Sequence, residues 1–158
     1  MVSHTGVECI EYTHDGRVVS ACAKLYADCS GSGIPLAAPL GLLPSKPVLG
    51  VGIEYIVKLK QEPHTTDLLV GSDVPAGYGW VFPLTGDTAI VGFGTLDPGL
   101  YSKVEQILQR MWQRPRIAAR CDVNPLEIHR GTLRTGPPVR CFHRHNCIAV
   151  GDSVLQAN

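Results

Sequence analysis

The sequence has little charge and few aromatic residues. Asp, Glu, Lys and Arg make up 18% of its 158 residues, and Phe, Trp and Tyr make up 6%. A charged share this low argues against a disordered chain. The 14 basic and 14 acidic residues cancel to a net charge of zero. We therefore do not expect a dedicated nucleic-acid-binding protein, which would carry a basic surplus.

The sequence also lacks a long apolar run. Its longest apolar stretch, residues 33–53, is interrupted by four prolines and a lysine, which excludes a membrane span. The N-terminus has no apolar segment typical of a secretory signal, so a cytoplasmic location is expected. The six cysteines, at positions 9, 22, 29, 121, 141 and 147, form no C-x-x-C pair. We expect free thiols in a reducing compartment.

Glycine and proline are abundant, and the basic residues are unevenly placed. The 17 Gly and 12 Pro favour a fold rich in turns. Residues 1–100 carry five Lys/Arg and ten Asp/Glu, a net of −5, whereas residues 101–158 carry nine and four, a net of +5. An arginine-rich half suits an anionic partner, and it equally suits a solvated basic surface.

The apolar pattern predicts an antiparallel sheet. A turn at residues 14–16 separates strands expected at residues 7–13 and 17–27. Residues 51–60 alternate apolar and polar with period two. Shorter strands are predicted at residues 68–71, 78–82, 88–95 and 147–150, with a hairpin turn at residues 85–87. Residues 34–50 are expected to form a loop, and the chain after Leu126 to be extended and rich in turns.

One helix is predicted after the last strand of this sheet. Asp97 is a suitable N-cap and Pro98 a suitable first residue. Apolar residues then recur at helical spacing, at Leu100, Val104, Ile107, Leu108, Met111 and Trp112. Pro115 ends the helix near Arg114. The predicted class is α+β, an antiparallel sheet with one packed helix.

An aromatic motif is the main candidate for a site. It runs P-x-x-Y-x-W-x-F-P from Pro75 to Pro83 and is followed, after eight residues, by Gly92-Phe93-Gly94. On a strand, Tyr78, Trp80 and Phe82 share one face. Three aromatic side chains on one face can line a binding slot for an apolar ligand, and the glycines allow a ligand or another backbone to approach closely. A stripe of buried core residues would give the same spacing.

The motif resembles the signature of the geranylgeranyl reductase family, which belongs to the p-hydroxybenzoate hydroxylase-like flavoproteins. The resemblance rests on Pro75, Tyr78, Trp80, Phe82, Pro83, Gly92 and Gly94. It implies that Tyr78, Trp80, Phe82, Pro83, Gly92 and Gly94 bind the substrate, in a cavity facing the flavin. The catalytic residues stay unknown.

Two further segments resemble flavin contacts of the same group. Val150-Gly151-Asp152 is similar to a late segment in which the Asp carboxylate accepts a hydrogen bond from a ribityl hydroxyl of FAD. Ser153, Val154 and Leu155 depart from the small residues usual there. Asp28, with its neighbours, resembles a segment near the pyrophosphate of the cofactor. By this resemblance Gly151, Asp152 and Asp28 bind the cofactor, although a turn or an N-cap explains the same residues.

A cluster of His and Cys side chains suggests a metal site only weakly. In an extended chain Cys141, His143, His145 and Cys147 would share one face. One strand spreads them over about 20 Å, too far for one ion, so we expect no metal site.

The resemblance implies three regions: residues 1–47 as the end of an FAD-binding region, 48–125 as the substrate-binding sheet and helix, and 126–158 as a return to the FAD-binding region. No G-x-G-x-x-G motif occurs, so the chain is expected to be an internal piece of a larger enzyme, and not to be active alone. That enzyme would use FAD, with NADPH or a ferredoxin as electron donor, to reduce C=C bonds of a polyprenyl lipid. Peripheral membrane contact would follow from such a substrate.

Two other functions stay open at the level of sequence. One is an FAD-dependent monooxygenase or halogenase of the same fold group, and the other is a non-catalytic lipid-binding sheet domain. Phe82-Pro83 together with Gly92-Phe93-Gly94 favours the reductase.

Overall fold

The computed structural model describes residues 2–3, 5–43, 47–61, 65–84, 86–122, 124–137 and 139–155. Its strands, in chain order, are β1 (Val2–Ser3), β2 (Gly6–Val7), β3 (Ile10–His14), β4 (Arg17–Ala21), β5 (Tyr26–Asp28), β6 (Val48–Lys58), β7 (Asp67–Leu69), β8 (Gly77–Pro83), β9 (Thr88–Thr95), β10 (Glu127–Thr135), β11 (His143–Arg144) and β12 (Cys147–Ala149). The helices are α1 (Val104–Trp112) and α2 (Pro115–Ala118), and 3-10 segments cover Gly31–Gly33, Pro98–Lys103 and Gly151–Val154.

The elements form two compact units. Unit 1 comprises Met1–Val48 and Leu133–Asn158, and unit 2 comprises Leu49–Thr132. These two units are defined by compactness alone. The cofactor-binding and substrate-binding regions expected from the sequence therefore stay predictions.

Unit 2 is built on a five-stranded sheet in the order β10-β6-β9-β8-β7. The pairs β6–β9, β8–β9 and β7–β8 are all antiparallel, as predicted. The strand expected at residues 88–95 is found with those bounds, and it pairs with β8 as a hairpin. Thr85, in the predicted turn, lies outside the described residues. The α+β class is confirmed.

The period-two pattern gives the sheet one buried face. Ile53, Tyr55 and Val57 of β6 are buried, as are Val91 and Phe93 of β9. From α1 this core receives the side chains Val104, Ile107, Leu108, Met111 and Trp112. Each such burial contributes roughly 1.5–3 kcal/mol. We call the opposite side of the sheet, turned away from α1, the distal face.

The predicted helix start is correct in position but not in helix type. Asp97 accepts a hydrogen bond from the Gly99 N–H at 2.9 Å, and Pro98 follows the cap. The next six residues nevertheless form a 3-10 segment, and α1 begins only at Val104. Gly99 has a low helix propensity, and 3-10 turns are frequent at helix N-termini. Pro115 stops α1 and begins the short helix α2.

The strand β10 differs from the expectation of an irregular, turn-rich segment after Leu126. It is a nine-residue strand at the edge of the sheet, beside β6. Most of its residues are exposed, so its sequence carries little apolar alternation. Within unit 2, two polar bridges hold this strand: Arg130 donates to Glu105 of α1 at 2.8 Å, and His129 lies 3.4 Å from Glu54 of β6.

In unit 1 the turn at Asp15-Gly16 is confirmed, and both residues have positive φ. The hairpin it forms, β3–β4, is shorter than predicted. The segments expected as strands over residues 7–13 and 17–27 are each divided into two strands. Residues 34–42, expected as loop, contribute Ile34, Ala37, Leu40 and Leu42 to the core of this unit.

The expectation of free thiols is wrong for two cysteines. Cys9 and Cys22 form a disulfide, with Cα atoms 4.3 Å apart. The hairpin register explains the pairing, because Ile10 is opposite Ala21 and the next residues outward are therefore opposite each other. Close Cα pairs of this kind occur at non-hydrogen-bonded positions of antiparallel strands. Cys29, Cys121, Cys141 and Cys147 are free thiols.

A parallel pair of strands organises the rest of unit 1. β12 confirms the strand predicted from Cys147 and runs parallel to β5. The extended conformation considered for residues 141–147 is wrong, because β11 and β12 form a hairpin that turns at His145-Asn146. The Asn146 side chain fixes this turn by accepting from the Val7 N–H and donating to the Val7 carbonyl, both at 2.9 Å.

None of the described helices has the length and apolar character needed to cross a membrane.

Candidate functional site

The three aromatic side chains of β8 form a continuous strip on the distal face of unit 2. The ring centroids of Tyr78 and Trp80 are 5.5 Å apart, and those of Trp80 and Phe82 are 6.1 Å apart. Gly79 and Val81, the alternate residues, are buried toward α1. The prediction that the aromatics share one face is confirmed. The strip is also not the core stripe that the spacing alone allowed.

The Gly-x-Gly segment of β9 forms the seat of the Trp80 indole. Trp80 is paired directly with Gly92. A Cβ atom on Gly92 would lie 2.3 Å from Cε2 and Cζ2 of the indole, far inside contact distance. Gly94 and, on β6, Gly52 lie under the rest of the ring, at 3.5 and 3.9 Å for the same construction. The space predicted for a close approach is therefore taken, at Gly92, by Trp80 itself.

The opposite side of the motif positions β8 against the helix. A Cβ atom on Gly79 would lie 2.2 Å from the sulfur of Met111. Only glycine lets α1 pack this closely on the strand. Alternate residues of one motif thus serve two purposes: Gly79 and Val81 fix the strand to the core, and the aromatic residues stand on the other side.

The strip is accessible and has polar atoms at hand. Tyr78 is 50% exposed, and Trp80 and Phe82 are half-buried. Leu68 of β7, which is opposite Trp80, is also exposed and adds to the apolar surface. Neither the Tyr78 hydroxyl nor the Trp80 indole N–H has a hydrogen-bond partner within the described part of the chain. Such a surface can hold an apolar chain and orient one polar group on it.

A charged cluster lies farther along the same face. Glu54 is paired with Gly92, so it stands in the same row across the sheet as Trp80. His129 bridges Glu54 and Glu127, at 3.4 Å from Nδ1 and 3.1 Å from Nε2. Hydrogen bonds to Glu54 and then Glu127 raise the pKa of His129. Sequence reasoning missed this cluster, because nothing in the pattern indicated that β10 joins the sheet beside β6.

The two segments predicted to contact the cofactor are brought together in unit 1. β5 and β12 are parallel neighbours, and both end at this point: Ala149 is opposite Asp28. The Val150 N–H donates to the Asp28 carbonyl at 3.0 Å. The Ser153 hydroxyl, fully buried, donates to the same carbonyl at 2.8 Å. Ser153 therefore has a structural role of its own. The carboxyl ends of parallel strands are the usual place for a ligand in such sheets.

The carboxylate of Asp28 is already satisfied by the protein. Its Oδ1 accepts from the Ser30 hydroxyl at 2.6 Å and the Ser30 N–H at 3.1 Å. Its Oδ2 accepts from the N–H groups of Ala37, at 2.8 Å, and Leu36, at 3.0 Å. Burial alone raises the pKa of Asp28, but the four hydrogen bonds, that of the Ser30 hydroxyl first, outweigh it and hold the pKa below its usual value.

Asp152 differs from Asp28 in this respect. Its side chain is partly exposed and has no hydrogen-bond partner among the described residues. Gly151, just before it, has a φ of 70°, and, its two chain neighbours apart, no described residue has an atom within 4 Å of where its Cβ would be. Asp152 is thus available to a ligand, whereas Asp28 holds the loop beside it. The cofactor roles of all three residues stay predictions.

Within the described residues, no group of three or more His, Cys, Asp or Glu side chains is arranged so that it could hold a metal ion.

Similar folds are found among flavin-dependent enzymes. A geranylgeranyl bacteriochlorophyll reductase-like protein from Thermoplasma acidophilum matches 99% of this chain with a TM-score of 0.80 at 20% identity. The flavin-dependent brominase Bmp2 matches 98% with a TM-score of 0.67 at 14% identity. The myxobacterial chondrochloren halogenase CndH matches 100% with a TM-score of 0.65 at 18% identity. The chain therefore shares its fold with part of each of these proteins.

The family can be stated more closely. Residues 50–132 match the model of the geranylgeranyl reductase catalytic domain, which is more than half of the chain. The chain belongs to this family. It covers only 40% of the length of the Thermoplasma protein, 42% of Bmp2 and 39% of CndH.

Proposed function

We propose that this chain is the substrate-binding part of an FAD-dependent oxidoreductase that reduces C=C bonds of polyprenyl chains. In this proposal the isoprenoid lies along the aromatic strip of β8, in contact with Tyr78, Trp80 and Phe82. Pro83, Gly92 and Gly94 shape the surface on which it lies. The rest of the enzyme would come from sequence outside this chain, consistent with the 40% coverage of the Thermoplasma protein.

The observation that carries the proposal is the orientation of the strip. Three aromatic rings at 5.5 and 6.1 Å stand on the distal face of the sheet, outside the core that α1 covers. Three glycines beneath Trp80 keep that surface flat. A flat aromatic surface suits an extended hydrocarbon chain, and removing that chain from water would supply most of the binding free energy.

The described residues of unit 1 are compatible with FAD. Asp152 offers a carboxylate without a partner among the described residues, and the backbone at Gly151 is open to close approach. Asp28, with its carboxylate occupied, would act by holding the adjoining loop. When bound, FAD would supply the hydride chemistry, and the protein would supply orientation and a dry cavity. NADPH and a ferredoxin are both candidate electron donors, and peripheral contact with a membrane would bring the lipid substrate within reach.

The halogenase alternative has the fold in its favour, through Bmp2 and CndH. The family match over residues 50–132 favours the reductase, because it covers the aromatic strip itself. A non-catalytic lipid-binding domain would use the same strip but would have no need of an available Asp152.

The test uses the complete enzyme with FAD reduced chemically by dithionite, so that the assay needs no biological electron donor. Geranylgeraniol should gain two hydrogens for each C=C bond reduced, as measured by mass spectrometry. Trp80→Ala should raise KM several-fold without loss of bound flavin, whereas Leu68→Ala, at the exposed edge, should change KM less. Halogenation in the presence of halide and oxygen, without reduction, would contradict the proposal.

A further inference from the structure

A concave surface separate from the aromatic strip lies in unit 2, at the end of α1. This cleft has a volume of about 510 Å³, within the range of roughly 300–1,000 Å³ usual for small-molecule sites. Its walls come from the β7–β8 connection and from the end of α1 with the residues just after it. The residues that matter for binding are Ser72, Asp73, Arg110, Gln113 and Arg114. The aromatic side chains of β8 do not line it.

The arginines of unit 2 differ in their partners. Four of the five are ion-paired: Arg114 with Asp73, Arg116 and Arg120 with Asp67, and Arg130 with Glu105. The fifth, Arg110, has no ion pair or hydrogen bond to any residue that the structure describes. It is also the arginine that lines the cleft beside Arg114. Acidic residues of the first hundred positions, Asp67 and Asp73, thus pair with three of these five arginines but not with Arg110.

The chemistry of the cleft favours an anion. Of the charged side chains that line the cleft, two carry a guanidinium group and one, Asp73, a carboxylate, which leaves one positive charge in excess. Arg114 contacts Asp73 through Nη2 only, so its remaining N–H groups are not used by that pair. Gln113 and Ser72 add neutral donors. The planar fork of a guanidinium matches the oxygens of a phosphate group and binds it through paired hydrogen bonds.

We propose that this cleft is a binding site for a phosphomonoester, with Arg110 as the principal contact of the phosphate and Arg114 as the second. Asp73 limits the affinity, because it competes for Arg114 and repels the anion. The site lies on other elements than the aromatic strip and would serve a ligand other than the polyprenyl chain.

The test titrates the 158-residue chain with ribose 5-phosphate, and with ribose as the neutral control, while the backbone amide signals of residues 72–75 and 110–114 are followed by NMR. Ribose 5-phosphate should give saturable shifts and ribose none. Arg110→Gln should weaken binding about tenfold, the loss expected for one charge-assisted contact. Arg116→Gln is the matched control, because that arginine is paired with Asp67 and does not line the cleft; it should bind as the wild type does.

Asp73→Asn provides a change in the opposite direction, which a folding defect cannot imitate. Removing the competing carboxylate should tighten binding several-fold. The proposal is overturned if ribose 5-phosphate causes no saturable shift. It is also overturned if Arg110→Gln and Arg116→Gln weaken binding equally, which would indicate diffuse attraction to a basic surface.

Discussion

At the scale of single residues, the contact between Trp80 and Gly92 defines the candidate substrate surface. A methyl group at Gly92 would overlap the indole, whose ring atoms are 2.3 Å from the added carbon. The indole would have to leave its seat. We therefore expect Gly92→Ala to destabilise the protein by about 1–3 kcal/mol, as overpacking does, and to expose Trp80 to water.

The measurement is the fluorescence emission of Trp80 in a Trp112→Phe background, which should shift to longer wavelength in Gly92→Ala. Gly131→Ala is a matched control, because Gly131 lies in a strand of the same sheet and an added Cβ would meet no described residue within 4 Å, its chain neighbours apart. An unchanged emission in Gly92→Ala would contradict the proposed seat.

Asp28 allows a second prediction at this scale. Its carboxylate accepts four hydrogen bonds inside unit 1, so Asp28→Asn should cost about 2 kcal/mol or more. The pKa of Asp28 is lowered in the folded state. Its contribution is therefore present above the usual carboxyl pKa of about 4 and is lost as the pH falls through the folded pKa.

Urea unfolding at several pH values checks this. The difference between wild type and Asp28→Asn should be largest near neutral pH and should narrow below about pH 4, where the carboxyl group protonates. Asp152→Asn, whose carboxylate has no partner among the described residues, should leave stability unchanged. A constant difference at all pH values would refute the assigned role of the charge.

At the scale of elements, the β3–β4 hairpin is held by the Cys9–Cys22 disulfide. The hairpin has few buried residues, and isolated two-stranded hairpins are marginal in water. A closed loop of this length, about 15 residues, corresponds to roughly 3 kcal/mol of chain entropy. Cys9→Ser combined with Cys22→Ser should therefore speed amide hydrogen exchange across residues 10–21, measured by mass spectrometry. Exchange as slow as in the oxidised wild type would contradict this prediction.

Some of these elements could be predicted from the sequence and others could not. β9 was predicted with exact bounds because the turn predicted at residues 85–87 marks where the return strand begins. β10 was not recognised, because it is an exposed edge strand held by polar bridges such as Arg130 to Glu105. The disulfide was missed although the turn at Asp15-Gly16 was identified. A two-residue hairpin centred there places Cys9 opposite Cys22, so a register argument would have found it.

Some features of the candidate site could likewise be predicted from the sequence, and others could not. The common face of Tyr78, Trp80 and Phe82 follows from strand geometry alone and was predicted. The contact between His129 and Glu54 joins residues 75 apart in sequence and depends on strand order, which no local pattern specifies. The parallel pairing of β5 with β12, which joins Asp28 to the segment of Asp152, could not be derived from local patterns for the same reason.

At the scale of the whole molecule, we propose that unit 2 binds the substrate and unit 1 contacts the cofactor. In the complete enzyme, Asp152→Ala should lower FAD affinity by about ten- to a hundredfold, if its carboxylate accepts one hydrogen bond from the cofactor. Trp80→Ala should leave FAD affinity unchanged. Titration of FAD into the two apo variants compares their FAD affinities. Wild-type affinity in Asp152→Ala would exclude this residue as a cofactor contact.

The central claim is that the aromatic strip binds a polyprenyl chain. The most direct test is the titration of geranylgeraniol into the Trp112→Phe variant, in which Trp80 is the sole tryptophan; the Trp112 indole N–H has no described partner, so this replacement removes no described hydrogen bond. We predict a saturable shift of Trp80 emission to shorter wavelength, which Phe82→Ala weakens. No saturable change, or the same change with a short-chain alcohol of equal polarity, would contradict the account.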